Sequence, residues 1–378
     1  MTMPPLHLHI GAPKTGTTYL QSLMREQRKQ LRSVGMLIPG ANGRQKQASR
    51  AFIREGGRSR GASGGGPWSE LVAEVQAWPG PAVISNESFG THLSDDHLAK
   101  LTKDFAGRDL HIIFTVRDLQ RQLPAAWQEA VKNGSTLSFA EYADLVSSAY
   151  SGVERSVDVL RHGIRRLAEV LESAPAVEDQ YRARRVWWAQ DAPKVLARWS
   201  ERVKPQHIHV VTVPQRGAPR DLLWQRFANV LGIDPAVVDA AVVQPNVSLG
   251  NVEANVLRRL NAAVMAGPNS LQGGEYIRFV KTPVANGVLQ FPGSRGRIHL
   301  TTEQAQWAAA ESARIADELS TLEYDLVGDL DELRPPAAPV EVEYEDPDQP
   351  TAEDERDAAI ATLAGLIQRM AESSRQGK

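Results

Sequence analysis

Four short runs of apolar residues are the feature that most limits the folds open to this chain. They read "LHLHI" at residues 6–10, "PAVIS" at 81–85, "LHIIFTV" at 110–116 and "HIHVVTV" at 207–213. Stretches with helical periodicity separate them. Strands of a parallel sheet that is covered on both faces have this nearly continuous apolar character. The pattern therefore predicts an α/β fold, in which a parallel sheet is flanked by helices, with a large helical insertion after the third strand and a C-terminal helical tail.

A glycine-containing loop, "GAPKTGTT" at residues 11–18, follows the first run. Beyond it, apolar side chains recur on one helical face: Leu20, Leu23, Met24, Leu31 and Val34. This strand–loop–helix unit is P-loop-like, because it presents successive backbone N–H groups and a helix N-terminus to a phosphate. Gly16 allows close backbone approach, and Thr17 and Thr18 add hydroxyl donors.

The position of Lys14 distinguishes this loop from that of a nucleoside triphosphatase. There the lysine follows the second glycine, whereas here Lys14 precedes Gly16. An amine on the outer limb can reach the oxygen that bridges a bound phosphate and the group beyond it. Transfer of a terminal group away from a single 5′-phosphate would use such a lysine to stabilise the leaving oxygen. Magnesium-dependent phosphoryl transfer also needs an acid at a neighbouring strand end. Asp118 is the comparable residue, and Arg117 beside it disfavours a divalent cation.

Two motifs resemble one enzyme family. "PKTGTT" after a short strand resembles the 5′-phosphosulfate loop of sulfotransferases that use 3′-phosphoadenylyl sulfate (PAPS), and "FTVRDLQRQLPAAWQE" is similar to their 3′-phosphate segment. "WWAQDAPKVLARW" and "VVTVPQRGAP" resemble the divergent bacterial branch. The resemblance covers residues 5–333. It implies a PAPS co-substrate, a sulfuryl transfer and no metal.

The resemblance also implies roles for individual residues. The 5′-phosphosulfate would be bound by Pro13, Lys14, Thr15, Gly16, Thr17 and Thr18. Arg117 would bind the 3′-phosphate. Eight residues after Arg117, where the family usually has a serine, this chain has Ala125. Arg121, one helical turn after Arg117, is the candidate to replace the missing serine contact. Against the same phosphate, "GSRGRI" adds Arg295 and Arg297.

Glu87, in "ISNESF" after the second run, is the expected general base. The carboxyl ends of parallel strands line the ligand crevice of an open sheet. A carboxylate there can accept the acceptor's proton when partial burial raises its pKa. Relatives that sulfate glycans place a glutamate at a comparable point. A helix-capping or surface carboxylate is the alternative, and His92 is the fallback base.

The remaining histidines and the tryptophans are expected to have structural rather than catalytic or ligand-binding roles. His7 and His9 share one strand face, as do His207 and His209, but two imidazoles alone make a poor metal site and the sequence shows no third ligand. His9 is expected beneath the loop. Core positions, rather than a sugar-stacking surface, are expected for Trp127, Trp187, Trp188 and Trp199.

Composition divides the chain into three parts. Residues 1–333 form the sulfotransferase-like α/β domain, in which the basic Gly/Ser-rich residues 40–66 are predicted as a loop, either a solvated linker or a lid over an anionic ligand. Residues 334–357 are an acidic, proline-rich linker. Residues 358–378 form an amphipathic helix whose stripe is expected to pack on the same chain or, as the alternative, on a second copy in a homo-oligomer: Ile360, Leu363, Ile367 and Met370.

Bulk properties exclude several classes. The net charge of −2 gives no general attraction to nucleic acid. The absence of cysteine excludes disulfides and thiolate chemistry. "MTMPPLHLHIG" lacks the features of a signal peptide, and no apolar run reaches the roughly 18 residues of a membrane helix. A soluble, cytoplasmic protein is expected.

The function predicted from these features is transfer of a sulfuryl group from PAPS to a hydroxyl or amine of a carbohydrate, lipid or small-molecule acceptor. Glu87 would be the base, and Lys14 would stabilise the leaving 5′-phosphate. Two alternatives remain. One is a P-loop kinase or nucleotidase, which would require magnesium and a nucleoside triphosphate. The other is a module that binds a phosphorylated nucleotide without catalysis.

Overall fold

The computed structural model describes residues 3–41, 43–55, 65–151, 187–243, 248–266, 270–271, 273–289, 298–334 and 345–376. The chain divides into two compact units. The first comprises Met1–Leu119, Trp188–Asn246 and Ala309–Pro335, and the second comprises Gln120–Trp187, Val247–Ala308 and Pro336–Lys378.

A parallel sheet of five strands forms the centre of the first unit. The strands are β1 (Pro5–Gly11), β2 (Ala82–Ser85), β3 (Asp109–Val116), β4 (Ile208–Thr212) and β5 (Asp325–Val327). Their order across the sheet is β2-β1-β3-β4-β5, and every neighbouring pair is parallel. The four strands predicted from apolar runs are confirmed. The edge strand β5 was missed, because it has only three residues and Leu326 is exposed.

Helices account for most of the other described residues. In chain order they are α1 (Thr17–Glu26), α2 (Arg28–Ser33), α3 (Arg44–Arg54), α4 (Pro67–Ala77), α5 (Ser88–Thr91), α6 (Asp95–Asp104), α7 (Leu119–Lys132), α8 (Phe139–Ser151), α9 (Ala192–Ser200), α10 (Leu222–Val230), α11 (Asn251–Met265), α12 (Gly273–Tyr276), α13 (Thr302–Ser320) and α14 (Ala352–Gln376). A π-helical stretch, Ile277–Val288, follows α12. None of the described helices combines the length and the apolar character that crossing a membrane requires.

Both faces of the sheet are covered, as the continuous apolar runs predict. On one face, α1 and α10 bury Leu20, Leu23, Trp224 and Phe227 in a cluster that includes residues of the strands. An aromatic group from α3, α4 and α5 is also buried, where Phe52 stacks on Trp68 with ring centroids 4.2 Å apart.

The stretch predicted as a basic loop is partly helical. Residues 44–54 form α3, so the loop prediction is wrong for them. The helix buries Ala48, Ala51 and Phe52, which recur at the three- and four-residue spacing of one helical face. The surrounding glycines and arginines hide that short apolar face in the sequence. Residues 56–64 of the same stretch lie outside the described residues.

The second unit is helical in its described residues. Asn261 ties its helices together, because its Nδ2 donates to the Val131 and Ser135 carbonyls and its Oδ1 accepts from Tyr276 Oη at 2.8 Å. Trp127 is fully buried and donates to the Leu137 carbonyl. Three of the four tryptophans are buried as expected, whereas Trp188 is 36% exposed.

Residues 345–351, in the acidic segment before α14, are among the described residues. The carboxylate of Asp348 accepts from the backbone N–H groups of Phe139 and Ala140 at the start of α8. Helix α14 begins at Ala352 rather than at 358, because Thr351 Oγ1 accepts from the backbone N–H of Asp354 and acidic residues occupy the first turn. Negative charge at a helix N-terminus is stabilising, so part of the acidic run is helical.

The apolar stripe of α14 does not pack on its own chain through the described residues. Its four side chains are 58–69% exposed, which contradicts the expectation that they would dock on the same chain: Ile360, Leu363, Ile367 and Met370. The helix instead packs through its other side, where Thr362 is buried and Arg369 donates to the Gly287 carbonyl. Pairing of this stripe with a second copy stays a prediction.

Candidate functional site

The strand order marks the carboxyl ends of β1 and β3 as the position for a ligand. β2 lies on one side of β1 and β3 on the other, so the connections diverge there and leave a crevice. Gly11 ends β1, and a Cβ added to it would lie 3.8 Å from the Glu87 Cβ and 3.7 Å from the Phe114 ring. The glycine loop and Glu87 are therefore neighbours at this crevice.

The loop has positive φ at three positions. Gly11 has φ 136°, Gly16 has φ 83° and Lys14 has φ 67°. A non-glycine residue there costs roughly 1–2 kcal/mol, and such strain concentrates at functional sites. Gly16 is also the N-cap of α1, and no side chain caps that helix. The N-terminal end of a ten-residue helix therefore offers its first N–H groups and its positive dipole end to an anion.

A small hydroxyl network lies beneath the loop. Thr115 Oγ1, on β3, donates to the Gly11 carbonyl at 2.8 Å and contacts Thr15 Oγ1 at 2.5 Å. Thr15 Oγ1 donates in turn to the Ala12 carbonyl at 2.5 Å. The hydroxyl of Thr15 is thus directed into the protein, whereas the side chain of Thr18 is exposed. The Thr15 hydroxyl, which the resemblance placed on the ligand, shapes the loop from inside.

His9 supports this network from below, as expected. Its Nδ1 lies 2.8 Å from Ser85 Oγ and its Nε2 lies 3.4 Å from Thr115 Oγ1. Burial lowers the pKa of His9 to about 3, so the imidazole is neutral at physiological pH. A neutral ring adds no charge under the glycine loop and acts through its hydrogen bonds.

Two further side chains hold the outer limb of the loop. Arg117 Nη1 donates to the Lys14 carbonyl at 3.2 Å, and Gln190 Nε2 donates to the Pro13 carbonyl at 3.3 Å. Gln190 is buried, and its neighbour Asp191 is bound by Arg314 Nη2 at 3.0 Å. The backbone of Pro13 and Lys14 is thereby held in place.

Sequence reasoning missed Thr115 and Gln190. Thr115 was visible as a polar residue inside the apolar run "IIFTV", two positions before Arg117. Gln190 directly precedes Asp191, which caps α9, but nothing in the sequence relates it to Pro13, 177 residues earlier. Thr115 could therefore have been found from the sequence, whereas Gln190 could be assigned only from the fold.

Among the described residues, the Glu87 side chain makes one hydrogen bond, to the helix that follows the loop. Its Oε2 accepts from Gln21 Nε2, on α1, at 2.8 Å. Glu87 occupies the N-cap position of α5, but its side chain makes no capping hydrogen bond. The helix-capping alternative is therefore excluded, and the half-buried carboxylate lies beside Gly11.

A basic cleft of about 540 Å³ opens between α3 and α5, next to Glu87. It is lined by Gly43, Lys46, Gln47, Arg50, Ile53, Arg54, Ser88 and His92. Lys46, Arg50 and Arg54 follow each other at four-residue spacing and share one side of α3. Within the described ranges, no carboxylate forms an ion pair with these three cations. The cleft suits an anionic ligand.

Gln45 fixes α3 at this end of the sheet. Its Oε1 accepts from the Ser85 backbone N–H at 3.1 Å, and its Nε2 donates to the Pro39 carbonyl at 3.0 Å. Ser85 ends β2, two residues before Glu87. The basic side of α3 and the carboxylate are consequently held by the same strand end.

The other predicted residues have varied positions. Asp118 is 1% exposed, so its carboxylate is buried. Arg121 and Ala125 lie on α7 in the second unit. Arg295 and Arg297 lie outside the described residues. His92, the fallback base, lines the basic cleft.

Comparisons with known proteins gave one structural similarity. No family model matches the sequence, and no curated protein matches it. Among solved structures, the chain is similar to a sulfotransferase from Alicyclobacillus acidocaldarius, with 13% sequence identity and a TM-score of 0.37. The similarity covers 70% of this chain and 94% of that one.

Replacing Gly16 by alanine tests the loop geometry. A Cβ there would lie 2.4 Å from Leu223 Cδ2, in addition to the strain of φ 83°. We expect Gly16→Ala to lower the free energy of unfolding by about 3 kcal/mol, measured by urea denaturation. Gly35→Ala is the matched control, since Gly35 has φ 86° and nothing within 4 Å of its added Cβ. That control should lose about 1 kcal/mol, and equal losses in the two variants would contradict this account.

Proposed function

We propose that the protein transfers a sulfuryl group from PAPS to a nucleophilic hydroxyl or amine. The observation that carries the proposal is the loop itself, an uncapped helix N-terminus with a strained lysine on its outer limb and a carboxylate beside its first glycine. This arrangement could bind one terminal phosphate and stabilise the departure of one group from it. It lacks an exposed acid at the end of β3 that could organise magnesium, since Asp118 is buried.

The bound co-substrate would supply an activated sulfuryl group and a 5′-phosphate leaving group. The N–H groups at the start of α1 would bind that phosphate, and the Lys14 ammonium would neutralise charge on the bridging oxygen as its bond to sulfur breaks. The Lys14 backbone is held by Arg117, and its neighbour Pro13 is held by Gln190. The backbone that carries the amine is therefore held before the reaction begins.

Glu87 would accept the proton of the acceptor while the new bond to sulfur forms. Its distance from Gln21 Nε2 is 2.8 Å, so one carboxylate oxygen is oriented by a neutral donor. An amide at Gln21 orients the base without neutralising it, as a cation would. Arg117 remains the proposed contact of the 3′-phosphate. Arg121, Arg295 and Arg297 are proposed as further contacts on the resemblance alone.

The acceptor proposed here carries an anionic group. Three cations of α3 line the cleft beside Glu87. They are spaced four residues apart, so they lie on the same side of the helix and face the cleft. An anionic carbohydrate, lipid or small molecule could place its charge there and its nucleophile at the carboxylate. Such electrostatic complementarity raises both the association rate and the selectivity for charged substrates.

The first prediction concerns Lys14. Lys14→Met should lower kcat/KM for transfer of labelled sulfate from PAPS by at least about 100-fold, because the leaving oxygen loses its cation. A panel of anionic and neutral oligosaccharides, phospholipids and phenols serves as acceptors. Lys29→Met, an exposed lysine on α2, is the control and should retain activity.

The same assay separates the alternatives. Phosphate release from ATP that requires magnesium would replace the proposal by a kinase or nucleotidase. Binding of adenosine 3′,5′-bisphosphate without transfer to any acceptor of the panel would favour a non-enzymatic module. Full activity of Lys14→Met would refute the role of the lysine.

A second prediction concerns Glu87. Glu87→Gln keeps the shape and can still accept from Gln21, but it cannot take a proton. We expect kcat to fall by about 100-fold or more, while the Kd for adenosine 3′,5′-bisphosphate in calorimetry changes less than about twofold. Glu55→Gln, at the exposed end of α3, is the control. An unchanged kcat would remove Glu87 from the mechanism.

A third prediction concerns the acceptor. Arg50→Gln should raise KM for an anionic acceptor by about tenfold and leave KM for PAPS unchanged, because it removes one cation from the cleft. Arg44→Gln makes the same change on α3 outside the cleft lining and should have little effect. The anionic-acceptor proposal fails if the wild-type enzyme prefers uncharged acceptors, or if the two variants behave alike.

A further inference from the structure

A cluster of imidazoles and carboxylates lies at the opposite end of the sheet from the glycine loop. Asp109 and His111 begin β3, His207 precedes β4, His209 lies at the start of β4 and Asp325 begins β5. The parallel register places these strand starts side by side. The cluster therefore belongs to the first unit and lies apart from the residues that the sulfuryl-transfer proposal uses.

We propose that Asp109, His111 and His207 bind a divalent transition metal, with zinc as the best match. Asp109 Oδ2 lies 3.5 Å from His111 Nε2, and Asp109 Oδ1 lies 3.1 Å from His207 Nδ1. All three ligand atoms lie within 4.8 Å of one another. Ligands about 2.1 Å from a tetrahedral zinc are separated by about 3.4 Å, so the cluster is close to the required spacing.

The hydrogen bonds behind His111 select the atom that faces the metal position. Asp325 Oδ2 accepts from His209 Nδ1 at 2.6 Å. His209 Nε2 lies 2.8 Å from His111 Nδ1, so these two nitrogens are engaged with each other. His111 Nε2 is then the nitrogen that faces the Asp109 carboxylate. A cation bound there would be coordinated by both side chains.

These contacts resemble the hydrogen bonds that support the ligands of a metal site. Metal-binding histidines usually donate their second N–H to a carboxylate or another acceptor, which fixes the ring and raises its basicity. Here His209 and Asp325 provide that support. The rings of His111 and His207 are also stacked, with centroids 4.2 Å apart at an angle of 12°.

A further imidazole borders the cluster. His7 pairs with His111 in the register of β1 and β3, and their rings are 5.0 Å apart. His7 is 4% exposed, and its Nδ1 is a buried atom without a hydrogen-bond partner among the described residues. A polar atom in that state is unusual beside a purely structural group of side chains.

Nitrogen ligands with one carboxylate favour zinc, nickel or copper over magnesium and calcium, which prefer oxygen. The proposed metal links the starts of β3 and β4, and through the outer hydrogen bonds it reaches β5. Its role is structural, because it joins β4 to β3, whose other end carries Thr115 beneath the glycine loop. Sequence reasoning found two imidazole pairs and missed the third ligand, since His111 stands alone in its strand.

The test uses the full-length chain after dialysis against a chelator. Calorimetry with zinc should show about one site per chain, and cobalt in its place should give the visible absorption of a tetrahedral ion. His207→Ala and Asp109→Asn should each weaken zinc binding by at least about tenfold, and Asp325→Asn should weaken it by about 10–100-fold. His299→Ala removes a histidine of the second unit and should leave zinc affinity unchanged.

Three results would overturn the proposal. They are no stoichiometric zinc binding by the wild-type chain, cobalt binding without a tetrahedral spectrum, and equal affinity in the His207, Asp109 and His299 variants. Circular dichroism of each variant without metal controls for unfolding. Asp109→Asn preserves the shape of the side chain, so it keeps the test valid if the histidine variant is unstable.

Discussion

The hydrogen bond from Thr115 to the Gly11 carbonyl is the interaction on which the candidate site depends. It joins β3 to the point where β1 turns into the glycine loop, and the same hydroxyl contacts Thr15 inside that loop. The backbone can then adopt left-handed conformations at Lys14 and Gly16 and present an uncapped helix end outward. Without this internal support, the network would not offset the backbone strain at Lys14 and Gly16.

The groups around this loop differ in charge. The neutral imidazole of His9 lies beneath it, Lys14 and Arg117 lie at its outer limb, and the cations of α3 line the cleft beside Glu87. The net charge of the chain is only −2, so anion recognition depends on these local groups. A fixed arrangement of donors and cations can stabilise developing charge with little reorganisation, which is the physical basis of the proposed transfer.

The sequence predicted the central strands and the loop, because both follow from local rules. Buried parallel strands require apolar runs, and a phosphate loop requires glycine, lysine and hydroxyl residues in a short order. The sequence could not predict β5, whose three residues form an exposed edge, or α3, whose apolar face is hidden among glycines and arginines. Gln190 and the third imidazole, His111, could be assigned only when the fold brought distant segments together.

The most direct test of the central claim is a crystal structure of the protein with adenosine 3′,5′-bisphosphate. The account predicts the 5′-phosphate about 3 Å from the backbone nitrogens at the start of α1, with the Lys14 ammonium on the same phosphate. The 3′-phosphate should then lie at Arg117. A nucleotide bound elsewhere, with no phosphate at the glycine loop, would contradict the account.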